Sequence, residues 1–161
     1  MSFSDWLALI SPAVAVAVAL FGFRRSRRAD QLAAFFQLHE RYLAPEVRSG
    51  RKLIYERVSG RPPADIASLP EEVRAAVGYT LATMNSIAIA CDARYVELAA
   101  VQRSMGRSYS GTMAAAKPYI DYLEQSRGFR PYIYAERLAS AFRGPTQLPA
   151  ALTEADRAVR G

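Results

Sequence analysis

A chain of 161 residues, 51% hydrophobic and 22% charged, has the size and composition of one folded domain with at most an appendage, which excludes disorder along its whole length. A single cysteine, Cys91, and a single histidine, His39, exclude an intrachain disulfide and the usual His/Cys zinc site within one chain. The net charge of +6 would suit nucleic acid if it formed one patch, but half of it is local. Residues 1–28 set Arg24, Arg25, Arg27 and Arg28 against Asp5, and the remaining 17 basic and 14 acidic groups nearly balance.

The first element is an uncharged run from Trp6 to Phe23, WLALISPAVAVAVALFGF. As a helix its 18 residues span about 27 Å, near the hydrocarbon thickness of a bilayer. Its nine strong hydrophobes contribute about −3 to −5 kcal/mol to insertion, offset in part by Ser11, Pro12 and Gly22. The RRSRR cluster follows at once, and the positive-inside rule places it and all that comes after in the cytoplasm, with Arg24, Arg25, Arg27 and Arg28 at the membrane surface. A cleaved signal peptide would need positive charge before the run, where only Asp5 stands. Ala8, Ser11, Ala15, Ala19 and Gly22 share one helical face, a pattern that lets helices pack closely.

Helical spacing continues through Leu32, Phe35, Phe36, His39, Tyr42 and Leu43, directly after the first segment, and Pro45 ends that helix and starts another running to about Val58. A loop follows in SGRPPADIASL. Pro70, Glu71 and Glu72 then open the strongest helical pattern of the chain, Val73, Val77, Leu81, Met84, Ala88, Cys91, Tyr95 and Leu98, with a break near Asp92. The spacing predicts a core containing Phe36, Ile54, Val77, Leu81, Met84, Ala88 and Tyr95. Gly106 and Gly111 suggest a turn. A helix is then predicted from about Thr112 to Gln125 with Pro118 near its start, and a last one from Tyr132 to Phe142, set apart by Gly128 and Pro131. Residues 145–161 read as a loosely held tail, with a short helix allowed from Leu148 to Val159.

The order of apolar helix, arginine cluster and Arg/Tyr-rich helical domain, with LATMNSIAIACD in the middle and KPYIDYLEQSRGFRPYIYAERL later, resembles an uncharacterised bacterial family of small membrane-anchored helical proteins known only as a domain of unknown function. In that family an Asn sits in a central apolar helix, as Asn85 does here. Many members carry an acidic residue just after it, where this chain has Ser86 and Ile87. The resemblance covers most of residues 5–142 and implies a fold and an anchor, without an activity.

Residues able to carry chemistry are few. GRSYSGT, from Gly106 to Thr112, lacks the Lys and Ser/Thr that must follow the second glycine of a phosphate loop. His39 has no Ser or Cys partner at recognisable spacing, and Cys91 falls on the apolar stripe, where burial of a thiol is the default. No catalytic residue, metal ligand or cofactor is assigned, and an enzyme is the third choice of function. Asn85 and Asp92, seven apart, lie on one flank of the central helix as a candidate structural polar network. Arg127, Phe129, Arg130, Tyr132, Tyr134 and Arg137 form a candidate partner surface, since Arg and Tyr supply large area and directional hydrogen bonds.

The expectation is therefore an all-α chain: a single transmembrane helix with its arginine flank (residues 1–28), then a cytoplasmic bundle of about five helices (29–144), then a tail (145–161). Its place would be the inner or plasma membrane, N-terminus outside. Its role would be a membrane-tethered interaction or scaffold module, with an accessory subunit or regulator of a transport or envelope complex as the alternative. The expected partners are the lipid bilayer, a protein of unknown identity and a second copy of the chain, while the near-neutral domain argues against nucleic acid.

Overall fold

The structure, a computed structural model, describes residues 3–143, without the side chains of residues 3–13, 15, 17 and 24. The described chain is all-helical, with no strand. Helix α1 runs unbroken from Phe3–Leu43. Ala44, the residue before a proline, is extended (ψ 144°), and Pro45 occupies the first turn of α2 (Pro45–Leu53). The helix then widens into one π-helical turn, Ile54–Val58, in which the Ser59 N–H donates to the Ile54 carbonyl at 2.9 Å. A 3-10 turn at Pro63–Ser68 occupies the predicted loop. Then come α3 (Glu71–Asp92), α4 (Leu98–Ala115), α5 (Lys117–Arg127) and α6 (Ile133–Arg143). Glu71 and Glu72 sit in the first turn of α3, where the helix dipole favours acids. Gly128 ends α5 in the left-handed region at φ 73°.

The core forms around α3, which is flanked by α2 and α6, while α4 lies on α6. Val77, Leu81, Met84 and Ile87 of α3 are fully buried together with Ile54 and Val58 of the widened turn and Ile120 of α5. An aromatic row crosses this core, with Tyr42 and Tyr109 ring centroids 6.4 Å apart and Tyr109 edge-on to Phe142 at 5.7 Å. The Tyr109 hydroxyl donates to the Met84 carbonyl at 2.9 Å, and burial pushes it far above its ordinary range, so it stays neutral.

Ile54, Val77, Leu81, Met84 and Ala88 are buried as their spacing predicts, but Phe36 is 59% and Tyr95 70% exposed. Helix α1 turns Phe35, Leu38 and Tyr42 inward, which leaves Phe36 outside. Helix α3 ends at Asp92, so its periodicity does not extend to Tyr95. The turn expected at Gly106–Gly111 is absent: both glycines lie inside α4, and the chain breaks at Ala116, with Pro118 in the first turn of α5.

The largest correction concerns the N-terminus. Among the described residues no helix is long and apolar enough to cross a membrane. This overturns the transmembrane helix, and with it the single-pass membrane protein, its inner- or plasma-membrane location and its N-outside, cytoplasmic-domain orientation. The apolar residues from Val14 to Phe23 belong to a helix that passes without interruption into the exposed Arg25, Arg27, Arg28 and Asp30. The head-group role expected of these arginines rested on that span. The side chains of Trp6–Ala13, Ala15, Ala17 and Arg24, and the tail beyond Arg143, lie outside the described residues.

Candidate functional site

Helix α3 ends in a tight reversal. The N–H groups of Ala93, Arg94 and Tyr95 donate to the carbonyls of Ile89, Cys91 and Ala90 at 2.9, 3.1 and 2.9 Å. Arg94 takes the left-handed φ of 58°, and Gln31 of α1 donates to its carbonyl at 3.1 Å, tying α1 to the turn. Beside this turn lies a cleft of about 540 Å³. Its floor is apolar, made of Ala88, Cys91 and Val96 with Leu138 and Ala141 of α6, and Asp92, Arg94, Glu97 and Arg137 surround it. Leu98 and Tyr134 line it while remaining 45% and 42% exposed. The Arg137 guanidinium lies over the Tyr134 ring at 5.9 Å from its centroid.

Charges of both signs above an apolar floor can seat a bulky apolar group and pair charges flanking it. Nucleophilic chemistry fits less well, because burial pushes the Cys91 thiol up to about 11 and leaves it protonated at neutral pH. Among the described residues no group of three or more His, Cys, Asp and Glu could hold a metal ion.

The structure divides the sequence-selected residues among distinct settings. Tyr134 and Arg137 meet Asp92 in the cleft. Arg127 and Tyr132 line a different depression, against the first half of α3. Phe129 is exposed at the turn between α5 and α6. Arg130 points into an acidic cluster. It forms a two-pronged pair with Glu136 at 2.6 and 2.7 Å and reaches Asp121 at 3.0 Å and Glu124 at 2.5 Å. His39 is half-buried and stacks on Phe35 with centroids 5.5 Å apart.

Asn85 has a positioning role. The N–H of Ala135, in the first turn of α6, lacks an acceptor within its own helix, and Asn85 Oδ1 of α3 accepts it at 3.2 Å. A side chain from one helix thus caps another and fixes the helix that carries Tyr134 and Arg137. Asn85→Ala is expected to cost about 1 kcal/mol, the usual worth of a cap, in urea denaturation. Asn85→Asp, which keeps the acceptor, should lose less, and equal losses would show that the cap is idle.

Sequence reasoning did not find Gln31, Arg94, Glu97 and Leu98 as members of one site. They come together only through the turn after α3 and the docking of α1, which no spacing encodes. No curated protein and no solved structure matches the chain. A family model described as Domain of unknown function (DUF4760) matches residues 9–142, which span the α3 turn, the cleft and α6, and the chain belongs to that family.

Proposed function

We propose that the chain is a helical interaction module whose cleft at the end of α3 receives a protein partner. The observation that carries this is the pairing of an apolar floor with two large, half-exposed apolar side chains, Leu98 and Tyr134, among charges of both signs. Interfaces concentrate binding energy in such places, where an anchor is desolvated within a polar rim. The partner chemistry that fits is a segment presenting one bulky apolar anchor flanked by charges of both signs, which pair with Asp92 and Glu97 and with Arg94 and Arg137. A second copy of this chain and a larger complex that holds it as an accessory subunit are two sources of such a segment.

The reading is tested with a photo-crosslinking residue at Tyr134, in the otherwise unchanged chain and in Leu98→Arg. Leu98 opens α4 and is half-exposed, so the change leaves the core alone. Sedimentation identifies self-association, and mass spectrometry identifies any other captured chain. A hot spot of this kind is worth at least about 2 kcal/mol, so Leu98→Arg should weaken capture about thirtyfold. Equal capture by both chains would remove the cleft from consideration.

A further inference from the structure

The depression that holds Arg127 and Tyr132 shares no lining residue with the cleft. It is an open depression of about 400 Å³ between the first half of α3, α5 and the turn before α6, within the size range of small-molecule sites. Tyr79, Tyr119, Tyr122 and Tyr132 line it, and Arg74 and Arg127 supply two positive charges against the one carboxylate of Glu71 in the lining. The Nε of Arg74 is buried and finds no hydrogen-bond acceptor among the described residues. Its nearest carboxylate, Glu71, stands 4.0 Å from Nη2 on a side chain that is 91% exposed, a pairing that contributes little. The Arg74 side chain is 33% exposed, so its guanidinium can turn to an anion in the depression with no strong ion pair to break.

The backbone adds a second, independent observation. Tyr132 takes φ 62°, a conformation that bulky residues rarely adopt and that recurs at ligand sites. This places its hydroxyl 3.4 Å from the Gly78 carbonyl, while the Tyr119 hydroxyl donates to the Arg74 carbonyl at 2.9 Å. Burial pushes both phenols up, against the opposing pull of Arg127, so neither adds negative charge at neutral pH. Tyr79, 47% exposed, offers its ring to a flat group, and the half-buried Tyr122 lies 6.4 Å from the buried Tyr119, their rings inclined at 53°.

We infer that this depression binds a small organic anion carried on an aromatic body, an aryl phosphate being the type, with Arg74 and Arg127 holding the anion and the tyrosine rings the body. Arginine suits this role because its planar fork matches the oxygens of a phosphate and stacks on aromatic faces.

The test titrates the full chain with phenyl phosphate and, separately, with inorganic phosphate, and reads backbone amide shifts by NMR. The expected result is saturable binding of phenyl phosphate mapping to Gly78, Arg127 and Tyr132, at least about fivefold tighter than inorganic phosphate. Arg74→Lys keeps a charge but loses the fork, and should weaken phenyl phosphate about tenfold, as should Arg127→Gln. Arg74→Lys leaves the carbonyl that holds Tyr119 in place. Should it nonetheless lose helicity, the shift map of the unaltered chain decides. Absence of a saturable shift up to about 10 mM overturns the proposal, as does equal affinity for the two probes, or an unchanged affinity in both variants.

Discussion

Gly50→Ala is expected to destabilise the domain by about 3 kcal/mol or more, although alanine is the better helix former by about 1 kcal/mol. Gly50 is buried in α2, where that helix lies against α3. A Cβ added there would stand 2.8 Å from the Ala76 carbonyl oxygen and far inside contact distance of the Thr80 hydroxyl. A hydroxyl can rotate away or be removed, but a helix backbone carbonyl cannot. Relief therefore requires α2 to move off α3, and α3 carries the fully buried Val77, Leu81, Met84 and Ile87. Urea denaturation of the single variant checks the size of the loss. Thr80→Ala in the same background separates its two parts. The Thr80 hydroxyl is buried with no hydrogen-bond partner among the described residues, so its removal alone should be tolerated well. Combined with Gly50→Ala it should restore part of the stability and leave the share due to the Ala76 carbonyl. A Gly50→Ala domain as stable as the original would mean that α2 and α3 are not in such close approach.

Glycines mark the boundary between what was legible and what was not. Helix periodicity reads large apolar side chains: it places Val47, Leu53, Ile54 and Val58 on the inner face of one segment and Val77, Leu81, Met84 and Ala88 on that of another, and of these all but the partly buried Leu53 are buried. It cannot read a position whose role is to have no side chain. Gly50 carries no signal in such a pattern. Gly106 and Gly111 suggested a turn, yet inside α4 they are points of approach: a Cβ at Gly106 would meet Phe142 at 3.6 Å, and one at Gly111 would lie 2.9 Å from the Tyr55 hydroxyl. Turn residues and contact residues share one letter in the sequence, and only the packing partner separates them. The N-terminal run is a separate case: among the described residues no helix is long and apolar enough to cross a membrane, and α1 continues through the arginines to Leu43, as the helical spacing predicts. The cleft was half legible. Asp92, Tyr134 and Arg137 stood out by residue type, but their meeting depends on Asn85 capping α6 and on the reversal at Arg94.

Arg130 shows how residue type can leave a setting undecided. Arginine beside aromatic rings suggests an interface, and the structure surrounds this one with acids, its side chain 30% exposed against 22% for Asp121, 29% for Glu136 and 45% for Glu124. The guanidinium ties α5 to α6 across the turn that sets both Tyr132 and Tyr134. Arg130→Met would leave three carboxylates facing one another, with only Lys117 beside Asp121. Partial exposure screens part of the repulsion, so the expected loss at pH 7 is about 2 kcal/mol, between a surface pair and a buried one. Arg130→Lys keeps the charge without the two-pronged geometry and should fall between.

The pH dependence supplies the sharper check. Burial alone would raise the Asp121 carboxyl, but hydrogen bonds from Lys117 and Arg130 outweigh it and hold the group below its ordinary value of 3.8. A carboxylate with a lowered folded pKa stabilises the fold above its unfolded value and loses that contribution as the pH falls through the folded one. In Arg130→Met one of the two holding groups is gone, and the neighbouring acids oppose ionisation. The stability gap between the original and Arg130→Met should thus be full at pH 7 and shrink steadily below about pH 4, as the carboxyls take up protons and the cluster ceases to repel. Urea midpoints measured from pH 7 to pH 3 read this directly. A gap that stays constant over that range would assign the loss to packing of the arginine stem, and a gap that widens on acidification would mean that the ion cluster does not hold α5 to α6.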